Sequence, residues 1–417
     1  MTLTKAPEPQ GYVLFGPQPR FPDVPYAEWK ARINKARKLM RENKIDLLML
    51  WSMQNCRYFA GFTSIHWHLP SIQPLVTLIP IEGEPVAITG DFFRWTVEGQ
   101  SWIRDIRTQS DVHQVKSERE FPGEVAATVK EMGYGKGNIA LEKGSLGHTW
   151  IPRPLNDIQT LMKDLPEARF VDGDKVIWGC RMVKSPLEID RLMKAAAIHR
   201  QSMAAVAEQY RPGMTERDVG KIFLLKAYEN DAEWVVPGHI MCGPEKEGMY
   251  DTGYHFDGVI INKGDCLSID MIMNYKGYWA DMGRMINVGP PTDSFKKCWE
   301  NVCRGFDAAV QAAKPGVRAM DVWRAVNTVI EDAEMMGFEM YGHGIGIDVQ
   351  EPPVVAGTDE TVLEAGMTFE IESLSAMGLR RMGGEGGFQF ENLLIITETG
   401  ATPVMGLPRE IIQTACC

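Results

Sequence analysis

The stretch from Gly264 to Val288, GDCLSIDMIMNYKGYWADMGRMINV, constrains the chain more than any other. Cys266 to Met273 is rich in Ile, Leu and Met, and Tyr278 to Val288 carries aromatics with alternating small residues. Asn274-Tyr275-Lys276-Gly277 between them supplies turn chemistry, so the segment reads as a β-hairpin. A turn centred on the Tyr275–Lys276 bond sets Asp270 directly opposite Asp281. Two carboxylates facing each other in an apolar hairpin repel, which costs free energy unless a shared proton or a metal ion sits between them. The competing register, off by one residue, leaves each Asp solvated at a strand end.

Upstream, residues 1 to about 25 are Pro-rich (Pro7, Pro9, Pro17, Pro19, Pro22, Pro25) and read as an extended arm, wrapped on the surface or on a partner subunit. Tyr26 to Asn43 is an amphipathic helix with Trp29, Ile33, Ala36, Leu39 and Met40 on one stripe. Strands follow at Ile45–Trp51, Leu75–Pro80, Glu84–Thr89 and Ile139–Glu142, with helices at Glu118–Met132 and within His148–Leu165. This alternation predicts an α/β domain over 26–178. Composition shifts at VIWGCRMVKSP, and a second domain is expected over 179–417. There Leu187–Tyr210 is a long helix, Thr215 caps another, and Thr292–Ala313 and Ala319–Met336 are two more. The end is strand-rich, at Tyr341–Val349, Met367–Ser373 and Phe388–Thr397. The class is therefore α+β, and no internal repeat is visible.

Composition excludes several roles. A net charge of −11 argues against nucleic acid or an anionic membrane as partner. The apolar run Pro74–Pro80 is far too short to span a bilayer. MTLTKAPEPQGY lacks the apolar core of a secretion signal, and the eight cysteines include no CxxC pair. Both point to reduced thiols in the cytoplasm.

Strand alternation gathers further acidic residues. In Met367-Thr368-Phe369-Glu370-Ile371-Glu372 it puts Phe369 and Ile371 on one face and Glu370 and Glu372 on the other. In Phe388-Gln389-Phe390-Glu391 it separates the Phe pair from Gln389 and Glu391. His343 stands between Gly342 and Gly344, where sparse side-chain bulk lets a ligand or strand approach closely. Taken singly, a strand Glu is ordinarily a solvated face and a His beside Gly a turn residue. Jointly, four carboxylates and one imidazole are what two hard divalent ions need, the imidazole favouring Mn, Fe, Co or Zn over Ca or Mg.

With these residues in place, the sequence resembles the pita-bread metallopeptidase family, in its two-domain branch of aminopeptidase P, prolidase and creatinase. Asp270 and Asp281 match that family's D-x10-D spacing, followed by a D-x-x-R match at Arg284. GHGIGIDVQEPP is similar to GHGxGxxxHExP, LEAGMTFEIE to LEPGMxFxIE, and FQFEN to xRxED. Residues 32–62 resemble the creatinase-type N-terminal domain, and RMVKSPLEIDRLMKAA the interdomain segment. The resemblance implies a dinuclear centre on Asp270, Asp281, His343, Glu372 and Glu391, with Asp281 and Glu391 bridging and Glu372 also the general base. It implies two divalent ions, Mn foremost, with Fe, Co or Zn as alternatives, and a homodimer.

Departures bear on function. The second His of the family's peptidases, seven residues past the metal His, is Gln350 here, which cannot shuttle a proton. The upstream substrate His aligns with His255 only across a small gap, and the Arg before the last Glu is Gln389. The expected activity is a metallohydrolase of the Xaa-Pro aminopeptidase or dipeptidase type, cleaving a short peptide or peptide-like amide, with Glu372, His255 and Gln350 in catalytic positions. Tyr254, His255, Arg380 and Arg381 are the candidate substrate-binding residues, and Trp234–Phe256 the natural lid, with Tyr275 and Trp279 on the pocket wall. His66 and His68 could reach a partner's site in a dimer. The alternative is a metal-dependent lyase of a small carboxylate, resembling the dimethylsulfoniopropionate lyases of this fold, which also lack the second His. Creatinase itself works without metal and lacks the ligands found here. A non-catalytic binding protein is the third reading, disfavoured because a dead site has no reason to keep an expensive carboxylate cluster.

Overall fold

The computed structural model describes residues 20–64, 75–109, 115–146, 151–244, 259–375, 388–404, 409–410 and 412–413. The chain divides into two compact units, Met1–Arg181 and Met182–Cys417.

The first unit contains α1 (Tyr26–Glu42), β1 (Leu47–Leu50), α2 (Met53–Ala60), β2 (Leu75–Pro80), β3 (Val86–Gly90), α3 (Arg94–Gln100), β4 (Asp105–Gln109), α4 (Val115–Glu131), β5 (Asn138–Leu141), α5 (Leu155–Asp164), β6 (Arg169–Asp172) and α6 (Asp174–Arg181). Its strands form one mixed sheet in the order β4-β3-β2-β1-β5-β6. Leu47 and Met49 of β1, Val76 and Leu78 of β2, and Ile139 and Leu141 of β5 pack with Phe121, Val125 and Val129 of α4. The segments α3, β4, β6 and α6 lacked a periodic signal in the sequence.

The second unit holds α7 (Pro186–Gln209), α8 (Glu216–Glu229), β7 (Trp234–Pro244), β8 (Asp265–Tyr275), β9 (Tyr278–Asn287), α9 (Asp293–Ala312), α10 (Ala319–Asp332), β10 (Met340–Gly344), β11 (Glu351–Ala356), β12 (Thr368–Ser375), β13 (Phe388–Thr397), β14 (Gly400–Pro403) and β15 (Ile412–Gln413). Capping boxes at Ser185 with Glu188 and at Thr215 with Asp218 start α7 and α8, each satisfying two otherwise orphaned backbone donors. The strands form two sheets, ordered β11-β10-β12-β13-β14 and β15-β9-β8-β7.

Each sheet buries one face under a helix pair. Phe369 and Ile371 of β12 and Phe390 of β13 pack against Val302 and Phe306 of α9 and Val322 and Val326 of α10. Ile269, Met271 and Met273 of β8 and Ala280 and Met282 of β9 pack with Met203 and Val206 of α7 and Val219 and Phe223 of α8. Burying such a side chain is worth about 1.5–3 kcal/mol, so each strand is committed to one orientation. Alternation then turns Asp270, Asp281, Glu370, Glu372, Gln389 and Glu391 to the opposite faces. The sheets meet there through β9 and β13.

The hairpin forms, with a register different from the one expected. Tyr275 pairs with Tyr278, so the turn is centred on Lys276–Gly277, Asp270 faces Gly283 and Asp281 faces Ile272. Lys276 and Gly277 have φ of 47° and 81°. A two-residue turn with both central residues left-handed matches strand twist, and Gly277 takes one of those positions without strain. The displacement is two residues, so both aspartates keep the same face and become diagonal neighbours.

Two other expectations are corrected. Trp234 to Pro244, read as the start of a lid, is strand β7, paired antiparallel to β8. The strand expected over Tyr341–Val349 ends at Gly344, and Glu351–Ala356 forms its own strand.

Candidate metal centre

Strand register builds the site. His343 of β10 pairs with Glu370 of β12, and Glu372 of β12 pairs with Glu391 of β13. Gly342, just before His343, has φ of 140°, and a Cβ there would lie 2.2 Å from the Glu370 carbonyl oxygen. Only glycine lets β10 come this close to β12. Ligand atoms of Asp281, His343 and Glu391 all lie within 4.8 Å of one another, and all three residues are buried. His343 Nδ1 lies 3.0 Å from the Gly344 carbonyl oxygen. A carbonyl only accepts, so Nδ1 carries a proton and Nε2 is the ring nitrogen turned to the site.

Of the other two predicted ligands, Glu372 touches the trio directly and Asp270 is joined to it through Gln389. Glu372 Oε1 lies 3.1 Å from His343 Nε2. Gln389 Nε2 donates to Asp270 Oδ2 at 3.2 Å and to Glu391 Oε2 at 3.0 Å. Gln389 reaches Asp270 across Gly283, where a Cβ would sit 2.4 Å from its amide. Asp270 and Glu372 are partly exposed, whereas Asp281, His343 and Glu391 are not, so the centre opens to solvent on the Asp270–Glu372 side.

The electrostatics fit a cation. Burial, then the Asp270 charge, pushes the Asp281 carboxyl well above the usual carboxylate range. Burial, then Asp281 and Asp270, does the same for Glu391, and Glu370 is raised by burial and by Glu372 and Asp270. For His343, burial favours the neutral ring, but Glu372, the Gly344 carbonyl and Asp270 outweigh it and raise the pKa. Asp281 Oδ1 is buried with no hydrogen-bond partner among the described residues. An orphaned carboxylate oxygen among converging carboxylates and an imidazole is a donor set suited to first-row divalent ions. Asp270, Asp281, His343, Glu372 and Glu391 are the residues that could hold them.

Supporting contacts not anticipated from the sequence fix this face. Arg284, 1% exposed, donates through Nη2 to Asn392 Oδ1 at 2.6 Å and through Nη1 to the carbonyls of Gly283 and Glu391, tying β9 to β13. Lys184 Nζ bonds Glu351 Oε2 at 2.9 Å, both side chains nearly inaccessible, and Glu351 Oε1 accepts from the Asp348 amide. That pair anchors the turn between His343 and β11. The sequence signals for both were a lone Arg and a Lys in apolar surroundings.

Gln350 lies on that turn and is exposed. Trp279, expected on the pocket wall, is 8% exposed and donates its indole N–H to the Ile347 carbonyl at 3.1 Å, bracing the same turn. Trp234 is 37% exposed on β7 and Tyr275 is half-buried at the hairpin turn. Tyr254, His255, Arg380, Arg381, His66 and His68 lie outside the described residues, as does most of the Pro-rich arm.

Comparison with known proteins agrees with this geometry. Residues 190–398 match the model of metallopeptidase family M24, and residues 32–183 that of the creatinase/prolidase N-terminal domain. The chain is 26% identical over 390 residues to a Xaa-Pro dipeptidase of Pyrococcus furiosus, covering 92% of this chain and all of that one. It is 23% identical over 412 residues to an ectoine hydrolase of Halomonas elongata, covering 92% and 96%. Among solved structures it resembles the recombinant prolidase from Thermococcus sibiricus, with a TM-score of 0.79 at 22% identity over 93% of this chain and 99% of that one. The chain belongs to metallopeptidase family M24, in its two-domain form with a creatinase-type N-terminal domain, and is a hydrolase of that pita-bread class.

Proposed function

We propose that this protein is a dinuclear hydrolase of Xaa-Pro dipeptides, or of short peptide-like amides, with Asp270, Asp281, His343, Glu372 and Glu391 as its ligands. The observation that carries the reading is the convergence of Asp281, His343 and Glu391 within 4.8 Å, with Glu372 in direct contact with His343 and Asp270 bridged to Glu391 by Gln389 on the open side. The name of one relative, Xaa-Pro dipeptidase, supports a short-peptide substrate, and that of another, ectoine hydrolase, a hydrolytic reaction.

Two divalent ions, Mn foremost, would supply positive charge to the carboxylates and polarise a substrate carbonyl. The chain's own residues do the rest. Glu372, a partly exposed carboxylate in contact with His343, takes the proton of the attacking water and returns it to the leaving nitrogen. The Gly344 carbonyl holds the His343 ring in one tautomer. Gln389 keeps Asp270 and Glu391 in register without adding charge. Trp279 and the Lys184–Glu351 pair hold the turn that carries Gln350 at the rim. His255, by motif position, and Tyr254, Arg380 and Arg381, by their place in the sequence beside the ligand segments, are kept as substrate contacts. The domain limits 26–178 and 179–417, a homodimer, and a cytoplasmic location without nucleic-acid or membrane partners complete the proposal. Among the described residues no helix is long and apolar enough to cross a membrane.

The test is release of proline from Xaa-Pro dipeptides by Mn-loaded protein, run beside dimethyl sulfide release from dimethylsulfoniopropionate. Proline release that disappears in Glu372→Gln supports the hydrolase. Silence on every peptide, with dimethyl sulfide evolved, replaces it with the lyase.

A further inference from the structure

Glu370 is a buried carboxylate on the face of the centre to which the five-ligand assignment gives no task. It is 0% exposed, and neither Oε1 nor Oε2 has a hydrogen-bond partner among the described residues. Register puts it directly across from His343 and two residues from Glu372 on the same side of β12. Burial raises its pKa most, the backbone amide of Asp281 eases its charge, and the remaining influences come from the site: Glu372, Asp270 and the cation Arg284. Arg284 does not satisfy it. That guanidinium spends its Nη groups on the carbonyls of Gly283 and Glu391 and on Asn392 Oδ1, and lies 4.3 Å from the Phe390 ring centroid. A carboxylate sealed from water, with no hydrogen bond closed on either oxygen and a single backbone amide to ease its charge, is tolerated where cations come to it.

We propose that Glu370 is a further carboxylate ligand of the metal centre, so that the ions are met by five carboxylates and His343. This rests on the metal-centre reading above and extends it. Hard divalent ions such as Mn accept six oxygen-rich positions, and five shared ligands leave several unfilled. Glu370 would fill one from the deep side, away from the opening at Asp270 and Glu372. Zinc, content with four ligands, gains less from an added carboxylate. The residue therefore biases the site towards Mn over Zn.

The test titrates metal-free, full-length protein with MnCl2 and separately with ZnCl2 by calorimetry. It uses wild type, Glu370→Gln and Glu370→Asp, and melts each protein with and without ion. Glu370→Gln is expected to weaken Mn binding at one step by at least tenfold and Zn binding by less, while the ion-free variant melts higher than ion-free wild type. Glu370→Asp, with its charge drawn back by one methylene, is expected to fall between the two, and carries the comparison if the Gln variant does not fold. Unchanged Mn affinity and stoichiometry in both variants would overturn the assignment. So would an ion-free Glu370→Gln that melts lower, since Glu370 would then be a structural counter-charge for Arg284. Failure of wild type to bind Mn at all would be a separate result, removing the metal-centre reading itself.

Discussion

His343 Nε2 lies 3.1 Å from Glu372 Oε1, joining a buried imidazole to a carboxylate of β12 whose side chain is 14% exposed. Glu372 holds the imidazole and raises its pKa, so the general-base role proposed for Glu372 falls to its other oxygen.

Glu372→Gln keeps the shape of that side chain and removes its basicity. Peptidase turnover is expected to fall by about 10²-fold or more, the usual worth of a positioned general base. Metal content after desalting and proline release, measured together, separate loss of base from loss of ion.

The metal-free protein is expected to lose stability as pH rises. Asp281, Glu370 and Glu391 have folded pKa values raised above their ordinary values of 3.8 and 4.5. Their protonated forms are thus favoured by folding. That contribution is fully present below the ordinary values and is lost as pH climbs through the raised ones. Melting temperatures of chelated and Mn-loaded protein should accordingly diverge upward from about pH 5. Parallel curves would refute the charge argument.

Lys184→Met leaves the buried Glu351 carboxylate without its cation. Removing one member of a buried pair costs about 3–5 kcal/mol, more than the pair itself contributes. Chemical denaturation should register that loss. Since the pair anchors the turn after His343, weaker Mn binding should accompany it.

Gln350→His restores an imidazole at an exposed position, so stability should change by less than about 0.5 kcal/mol. On Xaa-Pro dipeptides kcat should rise by about tenfold or more if the position lacks only a proton carrier. An unchanged or lower kcat would mark the pocket as shaped for another substrate.

Much of this centre was legible in the chain. Alternation alone separated Phe369 and Ile371 from Glu370 and Glu372, and Phe390 from Gln389 and Glu391, because a strand with one face under helices has a single orientation available. Motif spacing named Asp270, Asp281, His343, Glu372 and Glu391 together, and the structure brings ligand atoms of Asp281, His343 and Glu391 within 4.8 Å. The hairpin register was missed because Tyr275-Lys276 and Lys276-Gly277 are both plausible turn centres, and the choice depends on which residue takes a left-handed φ. Strand β7 was missed because Pro237 and Gly238 interrupt its pattern, and pairing with β8 overrides local propensity.

Local composition therefore determined which side chains share a face, since that follows from a two-residue period and the hydrophobic cost of the wrong face. Only the tertiary structure decided which of them lack partners. Whether Glu370 closes a hydrogen bond, where the Nη groups of Arg284 donate, and whether Gln389 can span two strands past Gly283 depend on distances between segments far apart in the chain. No local pattern encodes those distances, because they are set by how two sheets pack.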